Sequence, residues 1–161
     1  MSKPTFSTAS LCVTDTLNLN SLIDDTNSSI SGLPITYAWR GHGSAIFIEL
    51  GKLRHRERKN HPKGEFSIML DCEWRIENEK SIESGSYCDA DVIEESLAML
   101  TGDEVARIET LGCLHELVIV LKSGKKVVSF SNDIGDPEWC IFLQNGKFLG
   151  VRDGVVVSEH T

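Results

Sequence analysis

No apolar run in this 161-residue chain approaches the roughly 20 residues that a membrane-spanning helix needs. The opening stretch MSKPTFSTASLCVTDTLNLN has one lysine and no continuous apolar core, so it does not read as a secretory leader, and the expected compartment is the cytoplasm. There is no C-x-x-C, and the five cysteines (Cys12, Cys72, Cys88, Cys113 and Cys140) are odd in number and widely spaced. Neither a disulfide framework nor a zinc knuckle follows from that pattern. Cys72, Cys113 and Cys140 stand in apolar or strand-like surroundings, where a thiol is expected to act as a small buried hydrophobe.

Chemical motifs are equally scarce. The histidines His42, His55, His61, His115 and His160 fall in no recognisable nucleophile–base pattern, so no catalytic residue is assigned and the expectation is a protein that is not an enzyme, with a small enzyme of unfamiliar site kept as an alternative. His55 and His61 flank five residues of a cationic segment, which disfavours a divalent ion. Asp89, Asp91, Glu94 and Glu95 lack the alternation, glycine and terminal glutamate of a calcium loop. Gly41-His42-Gly43-Ser44 leads into a strand-like run without the Lys-Ser or Lys-Thr of a phosphate loop, and is taken as a turn. No metal and no cofactor are expected.

What the chain does have is charge, unevenly spread. Its formal net charge is −8, yet Lys52, Arg54, Arg56, Arg58, Lys59 and Lys63 gather six cations against the single Glu57. From Glu65 to Glu104 twelve carboxylates face only Arg75 and Lys80. A field of that sign repels phosphate backbones and draws basic partners. The basic segment holds no aromatic residue between Leu53 and Glu65, so it offers no stacking platform of its own. It is taken as a hairpin leaving the sheet and turning at Pro62–Gly64, with nucleic-acid binding through Lys52, Arg54, Arg56, Arg58, Lys59 and Lys63 kept as the alternative.

The patterning predicts an α+β fold: one antiparallel, sheet-rich domain over residues 1–161, with residues 1–34 a polar, partly irregular segment. Asn18–Asp25 suits a short helical turn, and Thr26–Pro34 reads as loop. Ala45–Leu53 is a strand. GEFSIMLDCEWRIEN alternates so cleanly from Gly64 to Glu77 that it predicts one half-buried strand, and Lys80–Ser84 suits a shorter one. One main helix is expected over about 89–101, capped by Ser86 and Asp89, with Ile93, Leu97 and Leu100 as its apolar stripe and Gly102 past its end. A meander follows over 104–111, 114–121, 125–131, 138–143, 148–152 and 155–158, with hairpin signals at Asn145-Gly146 and Asp153-Gly154. That makes six to nine strands and one packed helix. If the helix crosses the edge of the 64–77 strand, Glu73, Glu77, Asp89, Asp91, Glu94, Glu95, Asp103 and Glu104 form one negative patch for a basic protein partner. Exposed sheet edges leave room for an oligomer, which the sequence does not itself predict.

The run from Ile46 to Gly51, the EWRIE of Glu73–Glu77, ESGSYCD leading into LTGDEVARIE, LVIVLKSGKKVVSFS and DPEWCIF together resemble a group of small bacterial proteins. That group includes domains of unknown function and candidate immunity proteins encoded beside polymorphic toxins, as in contact-dependent growth inhibition. The resemblance spans Gly43 to Glu159. It implies a cytoplasmic protein that neutralises a cognate toxin, such as a nuclease, by binding it. No residue role comes with it.

Overall fold

The computed structural model describes residues 9–54 and 60–160, with side chains from residue 18 onward. In chain order the elements are α1 (Ala9–Ile30), β1 (Ile35–Arg40), β2 (Ile46–Leu50), β3 (Phe66–Leu70), β4 (Glu73–Glu77), β5 (Ile82–Gly85) and α2 (Ala90–Leu100). The meander follows as β6 (Val105–Leu111), β7 (Glu116–Leu121), β8 (Lys126–Phe130), β9 (Trp139–Phe142), β10 (Lys147–Arg152) and β11 (Val155–His160). Every strand pairing is antiparallel, and the strands form two sheets ordered β1-β2-β3-β9-β10-β11 and β5-β4-β8-β7-β6. The fold is α+β, as the patterning predicts. No helix is long and apolar enough to cross a membrane among the described residues.

The inner faces of the two sheets share one core. Ile46, Ile48, Ile68, Leu70, Ile141 and Leu149 of the first sheet meet Trp74, Ile76, Ile108, Ile119, Leu121 and Val127 of the second. Trp74 is fully buried, and its indole N–H donates to the Ser44 carbonyl at 2.7 Å, which satisfies its polar end. The helices lie against the sheet edges. α2 packs on β1 and β5, the edge strands on one side, and α1 packs on β6 and β11, those on the other. Each of the four edge strands therefore contacts a helix.

The chain departs from the predicted elements where local chemistry and tertiary context disagree. The Thr26–Pro34 stretch was expected to be loop, but α1 runs through it to Ile30. Its hydroxyls bond back four residues within the helix: Thr26 Oγ1 to the Leu22 carbonyl (2.8 Å), Ser28 to Asp24 (2.9 Å) and Ser29 to Asp25 (3.3 Å). Leu19, Leu22, Ile23 and Ile30 face the core at helical spacing. The 64–77 strand is two strands, β3 in one sheet and β4 in the other. β1 appears where none was expected, and Gly41–Ser44 becomes its hairpin loop to β2, with the Gly41 N–H donating to Ala45 O at 2.7 Å.

At the start of α2, Asp89 is the N-cap but its side chain makes no capping bond, and Ser86 instead pairs through its backbone and hydroxyl with Trp74. Gly102 does follow the helix with φ +94°, and its N–H donates to Ile35 O at 2.8 Å, tying the helix end to β1. The β10–β11 hairpin closes on two residues, Asp153 (φ 51°) and Gly154 (φ 75°), the left-handed pair that a tight hairpin turn needs.

Candidate functional site

The eight carboxylates that the sequence grouped as a partner surface lie on β4, along α2 and its N-cap, and in the turn from α2 to β6. Asp89, Asp91 and Glu95 are exposed on α2. Glu94 lies 3.7 Å from Arg40 Nε, Glu77 accepts from Arg75 Nε at 2.8 Å, and Glu104 pairs with Lys122. Asp103 accepts from the Ser123 hydroxyl and from its neighbour's N–H. Asp89 and Asp103 bracket a helix about 16 Å long. Glu73 and Glu77 stand about 13 Å apart at opposite ends of one strand. Glu73 and the start of α2 are joined through Tyr87, whose hydroxyl donates to Glu73 at 3.2 Å.

Around Glu73 the fold assembles an acidic cleft that sequence spacing did not reveal. The crossing from β3 to β4 supplies Asp71, Cys72 and Glu73, and the β8–β9 connection supplies Ser131, Asp133, Ile134, Asp136 and Glu138. The cleft is about 170 Å³, and its five carboxylates have no Lys or Arg among the lining residues. The Asp71 N–H donates to the Glu138 carbonyl (2.8 Å) and so fastens the two segments together. The Asp136 carboxylate accepts the N–H groups of Asp153 (2.7 Å) and Gly154 (2.9 Å), which anchors the connection to the last hairpin. With its nitrogen turned toward Glu73, the Asn132 amide donates to that carboxylate at 2.8 Å. Tyr87 is 77% exposed beside Glu73, and Ile134 points wholly into solvent.

Behind the cleft, buried Glu116 accepts from the Ser129 hydroxyl at 2.6 Å and from the Ser131 N–H. Burial, then the Glu116 carboxylate, push the Cys72 thiol up to about 11, and burial pushes the Cys140 thiol up to about 11. Both are protonated at neutral pH and poor nucleophiles. Cys113, expected to be buried, is exposed in the β6–β7 turn. His115, expected on a strand, lies in the same turn with φ 58°, and its carbonyl accepts the Trp139 indole N–H at 2.8 Å. No three His, Cys, Asp or Glu side chains are placed to hold a metal ion among the described residues.

A second surface lies on the outer face of the six-stranded sheet. Register sets Trp39, Phe47, Met69, Cys140, Gly150 and Val157 in one row across all six strands, about 24 Å long. The adjacent row is Tyr37, Glu49, Ser67, Phe142, Phe148 and Glu159. The described ends of the basic segment meet beside this face. Arg54 and Lys63 pair through their backbones, the Lys63 ammonium sits 5.4 Å from the Phe142 ring centroid, and the Gly64 N–H donates to Glu49 at 2.9 Å. His61 stacks on Trp39 (centroids 3.9 Å apart), Trp39 stacks on Phe47 (4.1 Å), and the Tyr37 hydroxyl meets His61 Nδ1 at 3.0 Å. Thus β1, β2 and β9 supply the aromatic rings that the basic segment lacks. Lys52, Arg54 and Lys63 are exposed, whereas Arg56, Arg58 and Lys59 lie outside the described residues. Comparison with known protein families, curated proteins and solved structures finds nothing that matches this chain.

Proposed function

We propose that this is a non-enzymatic cytosolic binding protein that captures a cationic macromolecule at the acidic cleft around Glu73. The observation that carries this reading is the convergence of Asp71, Glu73, Asp133, Asp136 and Glu138 on one concavity without a lining cation. A concave surface of one sign focuses the field and speeds encounter with the opposite charge. Asp89 and Asp91 at the nearby start of α2 extend that field, while exposed Tyr87 and Ile134 offer the apolar contacts that charge alone does not supply. The raised thiol of Cys72, which lines the cleft, fits a site that binds rather than reacts.

The resemblance to immunity proteins gives this reading its specific form, a partner that is a basic toxin domain such as a nuclease. The probe is the C-terminal domain of a large secreted protein encoded immediately upstream, titrated by surface binding at several salt concentrations. Glu73→Lys with Asp133→Lys is expected to slow association at least tenfold and to flatten its salt dependence. Glu94→Lys with Glu95→Lys, on the helix, is expected to slow association less. Unchanged association and salt dependence in both double variants would reject the acidic surface, and the absence of such a neighbouring gene would reject the immunity form.

A further inference from the structure

We infer that the outer face of the six-stranded sheet is a second, independent site, and that it binds single-stranded nucleic acid. Phe142 and Phe148 serve as stacking rings, and Arg54, Lys63 and Lys147 meet the phosphates. The two phenylalanines face each other directly across β9 and β10, and both are partly exposed. Beside them runs a groove of about 440 Å³ lined by Arg54, Lys63, Lys147 and Phe142, with Glu65 as the one carboxylate among its described lining residues. Glu65 is already engaged by the Lys52 N–H at 2.9 Å and the Gln144 amide at 3.3 Å. The groove is thus a cationic strip on a chain whose formal net charge is −8, and that contrast confines a polyanion to this face.

The rings decide which polyanion. Flat aromatic side chains set on a sheet beside cations suit unpaired bases, whose faces are free to stack, and offer little to a carboxylate-rich peptide. A duplex keeps its bases stacked on one another and leaves the rings unused. The basic segment alone lacked a stacking platform, but Lys63 at its end lies over Phe142 of β9, so cation and ring share one surface.

The test is fluorescence anisotropy of the full chain with a 5′-labelled twelve-residue oligothymidylate at 50 and 200 mM salt. With three phosphate contacts, affinity is expected to fall about twentyfold over that range. Lys63→Gln with Lys147→Gln, both at the surface, should remove about two-thirds of the salt slope. Phe142→Ala with Phe148→Ala should weaken binding about tenfold or more with the slope retained. Glu73→Gln with Asp133→Asn should leave oligothymidylate binding intact, so this site and the acidic cleft fail separately. No binding at 50 mM salt would overturn the inference. So would equal affinity for a duplex of the same length, equal competition by an oligoglutamate, or an unchanged salt slope in the lysine variant.

Discussion

Glu49 offers the sharpest test of how the outer sheet face is held together. It is fully buried, and among the described residues no cation reaches its carboxylate. Instead it accepts from Ser67 Oγ at 2.9 Å, from the Gly64 N–H at 2.9 Å and from the Trp39 indole N–H at 3.4 Å. Glu49→Ala strands all three donors. Two good charge-assisted bonds contribute about 1.5–3 kcal/mol each. Against that loss stands relief from desolvating a carboxylate, which is several kcal/mol for an unpaired buried ion and less where donors surround it. The balance is a destabilisation of about 2–3 kcal/mol, measured by urea unfolding. Adding Ser67→Ala removes one stranded donor, so the double variant should be more stable than the sum of the singles by about 1 kcal/mol. A Glu49→Ala cost below about 1 kcal/mol, or strict additivity with Ser67→Ala, would refute this account of the carboxylate as the clasp of the returning segment.

Further substitutions probe other parts of the fold. The folded-state thiol of Cys140 is raised above its ordinary value of 9.0 to about 11, so its contribution is whole below pH 9 and is lost as pH climbs toward 11. Cys140→Ala should therefore flatten the fall in stability between pH 9 and 11 seen in the parent, and an unchanged slope would count against it. Gly64→Ala should destabilise strongly, by about 1–3 kcal/mol or more, because its Cβ would stand 2.4 Å from the Leu50 carbonyl oxygen. Gly154→Ala has open space around it and should lose only about 1 kcal/mol through its left-handed backbone, so thermal melts that reverse this order would be decisive. Asp136→Ala removes the acceptor for both N–H groups of the last turn, with an expected loss of about 1–2 kcal/mol and faster amide exchange at Asp153 and Gly154.

Local signals were legible where local chemistry decides the structure. The Asp153-Gly154 turn needs two left-handed residues, and few other pairs supply them. The apolar stripe of α2 shows directly as buried Ile93, Leu97 and Leu100. Periodicity failed at Asp71-Cys72, where the chain leaves one sheet for the other. Leu70 and Trp74 both face the shared core, so the alternation continues unbroken across the crossing. Which sheet a strand joins is a tertiary fact that period-two patterning does not encode. Of α1 only a short helical turn at Asn18–Asp25 was expected, because the serine and threonine that follow favour turns in sequence statistics, and here they bond back inside a helix. Its spacing of Leu19, Leu22, Ile23 and Ile30 was the available clue. The acidic cleft was hidden because its residues come from segments some sixty positions apart, although Asp133, Asp136 and Glu138 already crowd one short turn.

The position of α1 sets a timetable for folding. Among the described elements this helix comes before the strands, yet it packs on β11, which comes after the others. During synthesis the part of its apolar stripe that β6 does not cover must wait until the β10–β11 hairpin emerges. A nascent chain halted before residue 155 should bind a chaperone through that stripe, and completion of β11 should release it.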